Sequence, residues 1–385
     1  MKQMIMKSAA LVAAVLMGSI AWAEAVRVYV APGGSGDGTS WESAAGFETA
    51  MAALGTSGSA TYEAEVEIWM KEGVYTKTAD SAKYTIPAKS SVVIRGGFAG
   101  TEESAAGREV GKYSTIDGAD KWKTFIVSNA GALEIERMVF TRSRWRGLEK
   151  ASSGGLKLKD CSFTANGLVD PLNTGIYGPN FLGHGAYFEG NASSTIVSME
   201  KCLFDGNIDT NGWYDAGQGY GLYAKNLKKV VMTNCSFLTN GYAFARTQDV
   251  WTRTSYTIVH FNNAPVAATN CVFRGNVSYT AGCGGIVWLG GNCNGSTFDH
   301  CQCVGNRVTK TTINSYGYWA ESTSSGTGVL NVDLGDRSRM VDFTSCTIAY
   351  NMSCTKYSAA EGAKARRGGF FFIIYIFPLD GGGMV

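Results

Sequence analysis

One motif, repeated six times between residues 156 and 351, restricts the fold of this chain more than any other feature. It reads apolar-x-apolar-x-x-Cys-x-Phe-x-x-Asn, although Cys and Ile replace Phe in the last two copies. A weaker copy without the Asn precedes them at residues 133–140. The six cysteines are Cys161, Cys202, Cys235, Cys271, Cys301 and Cys346, and the six asparagines that end the copies are Asn166, Asn207, Asn240, Asn276, Asn306 and Asn351.

The spacing of the motif predicts short strands joined by bends. Apolar residues two positions apart point to the same face of a strand. Because two extra residues before the Cys interrupt this alternation, a bend between two strands would keep both apolar pairs inside. The Asn tolerates the left-handed backbone of a sharp turn and bonds to neighbouring turns, so we expect the six asparagines to stack as a structural ladder. A third strand begins with glycines in most copies, as at Gly219-Tyr220-Gly221.

The repeat distance indicates a solenoid with three short strands per coil. Successive cysteines of the motif are 30 to 45 residues apart, and the excess residues lie mostly after the Asn. Loops of different length would therefore leave the same corner of each coil. A leucine-rich repeat needs a different apolar spacing, and a β-sandwich would not repeat one motif in register. We predict an all-β chain folded as a parallel β-helix.

The repeat resembles that of the polymorphic outer-membrane proteins and of related right-handed β-helix proteins in the pectate-lyase-like superfamily. The signatures Phe-x-x-Asn and Gly-Gly-[Ala/Ile/Leu] carry this resemblance, which extends over about Val26 to Asn351. It implies one right-handed parallel β-helix over residues 24–355 with an N-terminal cap, on a scaffold that serves enzymes and non-enzymatic surface proteins alike. Four N-terminal segments share it: Val28–Trp41, Ile68–Tyr75, Arg95–Glu102 and Thr115–Gly118.

The two ends of the sequence carry separate predictions. Residues 1–23 resemble a signal peptide, with Lys2 and Lys7 before an apolar run that is shorter than the roughly 20 residues of a membrane span. We expect a bacterial protein that is secreted or on the cell surface, without a membrane span after cleavage. The residues after Asn351 do not resemble the autotransporter barrel that ends the polymorphic outer-membrane proteins. Residues 356–385, with the apolar run Phe370–Leu379, are expected to form an irregular or truncated tail.

Charge and cysteine usage restrict the partners. Lys and Arg number 34 against 32 Asp and Glu, which gives no basic surface for nucleic acid. A buried thiol is favoured over a disulfide for the six repeated cysteines, since Cys acts as a small apolar residue in a core. Cys283 and Cys293 are the best pair for a disulfide in an oxidising compartment. Cys301-Gln-Cys303 does not have zinc-ligand spacing, so we expect no metal site there.

Catalytic residues are only weakly indicated. Asp205, Asp209 and Asp215 lie close together in sequence, and Arg246 follows one coil later. A lyase of the pectate type would use such carboxylates to bind calcium and a basic residue to abstract a proton; otherwise no cofactor is expected. Solvated loop charges are the simpler interpretation. Gly183-His184-Gly185 resembles a polygalacturonase motif, but the aspartate cluster that those enzymes need is missing from the sequence.

Aromatic residues in the loops after the Asn suggest a binding surface. Trp213, Tyr214, Trp251, Tyr318 and Trp319 belong to loops that leave one corner of successive coils. Such a row suits the apolar faces of sugar rings or a protein partner, although the rings could equally pack the loops. We therefore expect a monomeric binding or structural protein, adhesin-like, that recognises a polysaccharide or a surface protein. The alternatives are a polysaccharide lyase or glycoside hydrolase on the same scaffold, or a gene fragment without an independent role.

Overall fold

The computed structural model is a right-handed parallel β-helix with an N-terminal cap, which confirms the predicted fold class. Every strand pair in the described part of the chain is parallel and joins one coil to the next. No helix of that part is long and apolar enough to cross a membrane. The structure describes residues 25–54, 65–76, 83–86, 91–120, 123–129, 131–167, 184–209, 219–242, 257–280, 285–311, 330–333 and 341–356.

Sheets 1 and 2 are built from the two halves of the motif. Sheet 1 contains the upstream apolar pairs and has ten strands, in spatial order Val26–Val30, Glu65–Lys71, Ser91–Phe98, Ala132–Glu136, Leu156–Lys159, Ile196–Glu200, Lys229–Thr233, Val266–Thr269, Ser296–Asp299 and Val341–Thr344. Sheet 2 contains the Cys-x-Phe halves and has nine, in order Gly73–Thr76, Ser114–Asp117, Met138–Thr141, Ser162–Thr164, Leu203–Asp205, Ser236–Leu238, Val272–Arg274, Gln302–Val304 and Thr347–Ala349.

Sheet 3 is the predicted third strand of each coil, and a short fourth sheet is an addition to the prediction. Sheet 3 has eight strands, Lys83–Ile86, Lys123–Asn129, Arg146–Ala151, Ala186–Glu189, Leu222–Lys225, Thr257–Asn262, Gly285–Gly290 and Leu330–Asp333. Sheet 4 directly follows the motif asparagines and has five strands, Ile208–Asp209, Gly241–Tyr242, Val277–Thr280, Arg307–Thr311 and Met352–Lys356. In these coils the chain therefore continues as a strand after the Asn, and the length variation comes later than we expected.

A single left-handed residue makes the bend between sheets 1 and 2. The residue before the motif cysteine has a φ between 51° and 55° in the copies with Asp160, Lys201, Asn234, Asn270, His300 and Ser345. A left-handed residue turns the chain sharply and reverses the strand alternation, which accounts for the two extra residues in the motif. None of these six residues is glycine, so each copy pays a conformational cost at this corner.

The motif asparagines stack as a ladder, but they are not the left-handed residues of their turn. That conformation belongs to the residue before each Asn, with φ of 52° at Ala165, 60° at Gly206 and 50° at Thr239. Each Asn instead turns its amide inward: Asn207 Nδ2 donates to Asn240 Oδ1 (2.8 Å). The same amide nitrogen donates to the carbonyl oxygen of Phe163 (2.9 Å), and the same contacts recur along the ladder from Asn166 to Asn306.

The residue before the ladder Asn offers a matched pair of substitutions. Gly206→Ala is expected to lower the free energy of unfolding by about 1 kcal/mol, and Ala165→Gly to raise it by a similar amount, because only glycine adopts this backbone without strain. A Cβ at Gly206 would meet no atom within 4 Å, so the effect isolates backbone conformation. Denaturant unfolding measures both changes. Shifts of the same sign would show that packing, and not backbone strain, controls this corner.

Aromatic rings and thiols fill the interior beneath sheet 2. Phe163, Phe204, Phe237 and Phe273 are at most 2% exposed, in agreement with the prediction that the apolar residues of the motif lie inside. Their rings stack with centroids 4.7, 4.6 and 5.1 Å apart. The motif cysteines form a parallel column of free thiols, buried from Cys161 to Cys301 and half-buried at Cys346.

A helix closes the N-terminal end of the core. The helix Phe47–Leu54 buries Phe47, Met51 and Leu54 against the first coils. The Phe47 ring lies 6.2 Å from the Tyr75 ring and 5.9 Å from the Phe125 ring, measured between centroids. A short 3-10 turn at Ala105–Gly107 follows the third strand of sheet 1. The helix therefore covers apolar side chains that the first coils would otherwise expose.

Candidate functional site

The structure describes only part of the predicted catalytic set. Asp205 ends its strand in sheet 2 and accepts a short hydrogen bond from Thr239 Oγ1. Its neighbours in register are Thr164 and Leu238, so no second carboxylate is adjacent to it in sheet 2. Asp209 ends a strand of sheet 4, and its side chain is not among the described ones. Asp215 and Arg246 lie outside the described residues.

The predicted ligand-binding aromatics also lie outside the described residues, and their role stays a prediction: Trp213, Tyr214, Trp251, Tyr318 and Trp319.

The predicted disulfide is only half described, because Cys283 lies outside the described residues. Its proposed partner, Cys293, is a buried thiol that donates to the carbonyl oxygen of Gly290 (3.1 Å). Burial raises the pKa of the Cys202 thiol well above its ordinary value, as suits a structural Cys.

The outer face of sheet 3 carries a row of stacked rings that the sequence analysis did not single out. Tyr187, Tyr223, His260 and Trp288 occupy the same register position on four successive coils. Their ring centroids are 5.5, 4.7 and 4.0 Å apart. We call these four residues the outer row. Because each ring faces the next along the helix axis, these contacts occupy ring faces that a sugar would otherwise use.

Charged groups flank the start of the outer row. The Arg146 guanidinium lies 3.9 Å from the centre of the Tyr187 ring and pairs with Glu149 (2.7 Å). The Tyr187 hydroxyl donates to Glu189 (2.6 Å), which also pairs with Lys225 (3.2 Å). Burial, followed by this hydrogen bond, raises the pKa of Tyr187. These contacts fix the row and leave the half-exposed Glu189–Lys225 pair at its edge.

His184 and His260 are neutral structural groups at physiological pH. His184 is fully buried and donates from Nδ1 to the carbonyl oxygen of Trp145 (3.1 Å). Burial lowers the pKa of His184 to about 4 and that of His260 to about 3. Neither imidazole is therefore protonated at neutral pH. His184 lies in the Gly-x-Gly segment, where the structure agrees with a packing role.

One lysine of sheet 3 is buried in the core of the β-helix. No sequence pattern predicted this burial. Lys150 is completely buried in register between Val127 and Phe188, both core residues. Its ammonium donates to the carbonyl oxygens of Ser152 and Glu189, the latter at 3.4 Å. Burial lowers the pKa of Lys150 to about 8. Backbone carbonyls thus satisfy this group, and it is not open to a ligand.

An open groove runs along the corner between sheets 3 and 1. Its volume is about 310 Å³, and amides from three coils line it: Asn226, Asn263 and Asn292. Asn226 and Asn263 have φ of 52° and 51°, in the left-handed conformation that Asn tolerates best among ordinary residues. Asn263 Nδ2 donates to Asn226 Oδ1 (3.4 Å), and Asn263 Oδ1 accepts from the backbone N–H of Asn292 (2.8 Å). We call this space the corner groove.

The corner groove combines polar walls with an apolar floor. Lys228, exposed, provides a positive charge, while Ala192 and Pro265 provide apolar surface. Among the described residues that line it there is no carboxylate and no imidazole. Nor do the described residues anywhere contain three His, Cys, Asp or Glu side chains grouped to hold a metal ion. What the corner groove offers is hydrogen bonding and one cation, which suit binding.

The sequence contains a signal for the corner groove that was overlooked. An Asn follows the third strand in four consecutive coils, in Gly190-Asn191, Lys225-Asn226, Asn262-Asn263 and Gly291-Asn292. We treated only the Asn at the end of the motif as a repeated position. This second series of asparagines is hard to recognise, because the number of residues between the motif Asn and the Asn after the third strand differs from coil to coil.

Comparison with known proteins found two solved structures that are similar to this one. The structure is similar to that of pectate lyase Pel9A, with 15% identity, coverage of 85% of this chain and 78% of that one, and a TM-score of 0.43. It is similar to ORF18 of Geobacillus virus E2, with 12% identity, coverage of 80% and 57%, and a TM-score of 0.32. No family model matches the chain, and no match was found among curated proteins. Both likenesses are too distant to support an activity, and the narrower resemblance to the polymorphic outer-membrane proteins stays a prediction.

Proposed function

We propose that this is an exported binding protein that holds a polysaccharide in the corner groove. The observation that carries the proposal is that asparagines of three successive coils, Asn226, Asn263 and Asn292, line the groove together with Lys228. An amide offers donors and an acceptor, as sugar hydroxyls require. The apolar surface of Ala192 and Pro265 suits the C–H faces of sugar rings, in the usual mixture of apolar lining and few polar groups.

The periodicity of the scaffold supports a linear ligand. Coils follow one another at about 4.8 Å, the spacing of hydrogen-bonded strands. An Asn recurs at the same corner on each of these coils, so hydrogen-bonding groups repeat along the helix axis. A polymer with repeated hydroxyls lying parallel to the axis meets the same groups at each step. A compact small molecule would use only one step of this array.

The arrangement of carboxylates favours binding over hydrolysis. A glycoside hydrolase uses two carboxyl groups on either side of one bond. In the described residues Asp205 has Thr164 and Leu238 beside it. Glu149 and Glu189 are paired with Arg146 and Lys225, respectively. The proposed role is therefore adhesin-like or structural, with the chain outside the cell.

A polysaccharide array tests the proposal with matched variants. Lys228→Ala and Asn292→Ala are each expected to weaken binding by about tenfold or more, because a hydrogen bond to a charged or amide group is worth roughly 1–3 kcal/mol. Lys229→Ala is the control, since its side chain is also exposed but belongs to the outer face of sheet 1. Both Lys228 and Asn292 are exposed, so their loss should leave the circular dichroism spectrum unchanged.

The outcomes separate the hypotheses. Equal binding by wild type, Lys228→Ala and Asn292→Ala would move the ligand away from the corner groove. An array without any bound polysaccharide would reject the proposed function. Release of unsaturated or reducing sugar ends during the incubation would favour the catalytic alternative instead.

A further inference from the structure

The last two described coils place two thiols where a cross-link is accessible. Cys301 and Cys346 are neighbours in register, because Gln302 pairs with Thr347 in the parallel sheet 2. Neighbouring strands are about 4.8 Å apart, within the roughly 4.4–6.8 Å that separates Cα atoms across disulfides. The two side chains are close enough to interact with each other. Both thiols are free in this structure.

Accessibility distinguishes this pair from the rest of the column. Cys161, Cys202, Cys235 and Cys271 are at most 1% exposed, so an oxidant cannot reach the pairs that they form. Cys346 is half-buried, and its partner Cys301 is 5% exposed. The column is thus open to chemistry at one end of the described helix.

A nearby thiol provides an internal comparison. Cys303 is also half-buried and belongs to the strand Gln302–Val304, which directly follows Cys301. Its neighbours in register are Phe273 and Ile348, neither of which bears a thiol. Its sulfur accepts a hydrogen bond from Asn306 Nδ2 (3.4 Å). Similar exposure without a thiol neighbour makes Cys303 the natural control.

The coil that would be linked is the least buried in the described core. Phe343 and Ile348, which continue inward columns, are half-buried, whereas Phe298 and Phe273 one and two coils earlier are at most 3% exposed. The strands Val341–Thr344 and Thr347–Ala349 are the last of sheets 1 and 2 in the described part of the chain, with a strand neighbour on one side only. Segments with fewer buried apolar side chains open more readily than a fully packed core.

We propose that Cys301 and Cys346 form a disulfide when the protein meets a thiol oxidant, fastening this outer coil to its neighbour. The two thiols lose two protons and two electrons as the Sγ–Sγ bond forms. With oxidised glutathione as the oxidant, its S–S bond breaks and two glutathione thiols are released. The cross-link closes a loop of 45 residues, counted from position 301 to 346, and it restricts the unfolded chain and resists opening of the last coil.

Mass spectrometry of the full chain tests the cross-link. The protein is incubated with oxidised glutathione at mildly alkaline pH, digested with trypsin without reduction, and searched for peptide 275–307 joined to peptide 340–356 with loss of two hydrogens. Wild type and Cys303→Ala should both give this product. Cys346→Ala should abolish it. These peptides also contain Cys283, Cys293 and Cys354. Cys301→Ala should therefore abolish the product as well, whereas Cys283→Ala, Cys293→Ala and Cys354→Ala should each retain it.

A second readout guards against loss of folding in the variants. Cys346→Ala and Cys303→Ala should share the circular dichroism spectrum of the wild type. Oxidation should slow chymotryptic cleavage after Phe343 and Tyr350 in the wild type and in Cys303→Ala, but not in Cys346→Ala. A glutathione adduct on Cys346 without the cross-link would overturn the proposal. A cross-link that survives in Cys346→Ala, or that disappears in Cys303→Ala, would also overturn it.

Discussion

Replacing Phe237 by alanine is expected to lower the free energy of unfolding by about 3–5 kcal/mol, the range for a large buried aromatic side chain. The Phe237 ring is completely buried between those of Phe204 and Phe273, with centroids 4.6 and 5.1 Å away. Its strand is paired on both sides, so the neighbouring coils cannot easily close around the cavity. Chemical denaturation followed by circular dichroism measures the loss.

The neighbouring residue is the matched control for this substitution. Leu238 belongs to the same strand but lies on the outer face and is half-buried. Leu238→Ala is expected to cost below about 1 kcal/mol, as for a substitution away from the core. If Phe237→Ala cost as little as Leu238→Ala, the column of rings would not be a core.

The strands were predictable from the sequence because the spacing of the apolar residues in the motif indicates where each strand begins and ends. Each motif position corresponds to one column of the structure, from Leu158 and Met199 in sheet 1 to Phe163 and Phe204 in sheet 2. The repeated Asn also indicated contacts between coils, since a buried amide needs partners on both sides. Because the coils stack regularly, residues at the same motif position on successive coils become neighbours in space.

The turn conformations were not predictable from the same pattern. We assigned the left-handed backbone to the Asn at the end of the motif, whereas the residue before it adopts that backbone. Ala165 and Thr239 are poor choices for a left-handed turn, and only Gly206, Gly275 and Gly305 show the preference openly. The ladder of hydrogen bonds on either side holds the strained copies in place, which no single turn sequence reveals.

The candidate site was missed for a different reason. The corner groove takes its walls from Asn226, Asn263 and Asn292, which lie 37 and 29 residues apart in the chain. Only the stacking of coils brings them together, and loops of unequal length hide their period. The aromatic residues in the loops after each motif Asn were the stronger signal in the sequence, and their role stays a prediction.

Lowering the pH from 7.5 to 5 is expected to reduce the free energy of unfolding by about 4 kcal/mol. This loss is the sum of the contributions of two buried imidazoles, those of His184 and His260. Burial holds the pKa of His184 at about 4 and that of His260 at about 3 in the folded protein. In the unfolded chain histidine titrates near 6.5, so the unfolded state takes up protons first as the pH falls. The stability is therefore fully present above about pH 6.5 and is lost progressively below it.

The surroundings of both rings explain why protonation is costly. His260 lies between the Tyr223 and Trp288 rings, with its Nδ1 3.3 Å from Thr257 Oγ1. His184 stacks on Tyr220 with 5.2 Å between centroids, near the Arg146 charge that further lowers its pKa. Neither ring has a carboxylate among the partners that lower or raise its pKa, so an imidazolium would lack compensation.

The pH window separates the imidazoles from the acidic groups. Hydrogen bonding to Arg142 lowers the pKa of Asp117, so the stability that this carboxylate contributes is lost only as the pH falls below its unfolded value near 4. Denaturant unfolding at pH 7.5, 6.5, 5.5 and 5 should show about half the slope in His260→Phe, because one of two titrating groups is removed. His300→Gln, which removes a histidine whose side chain is 60% exposed, is the comparison variant. A wild-type stability that stays constant down to pH 5 would mean that the two rings are accessible to protons in the folded protein, and the packed outer face of sheet 3 would then have to be abandoned.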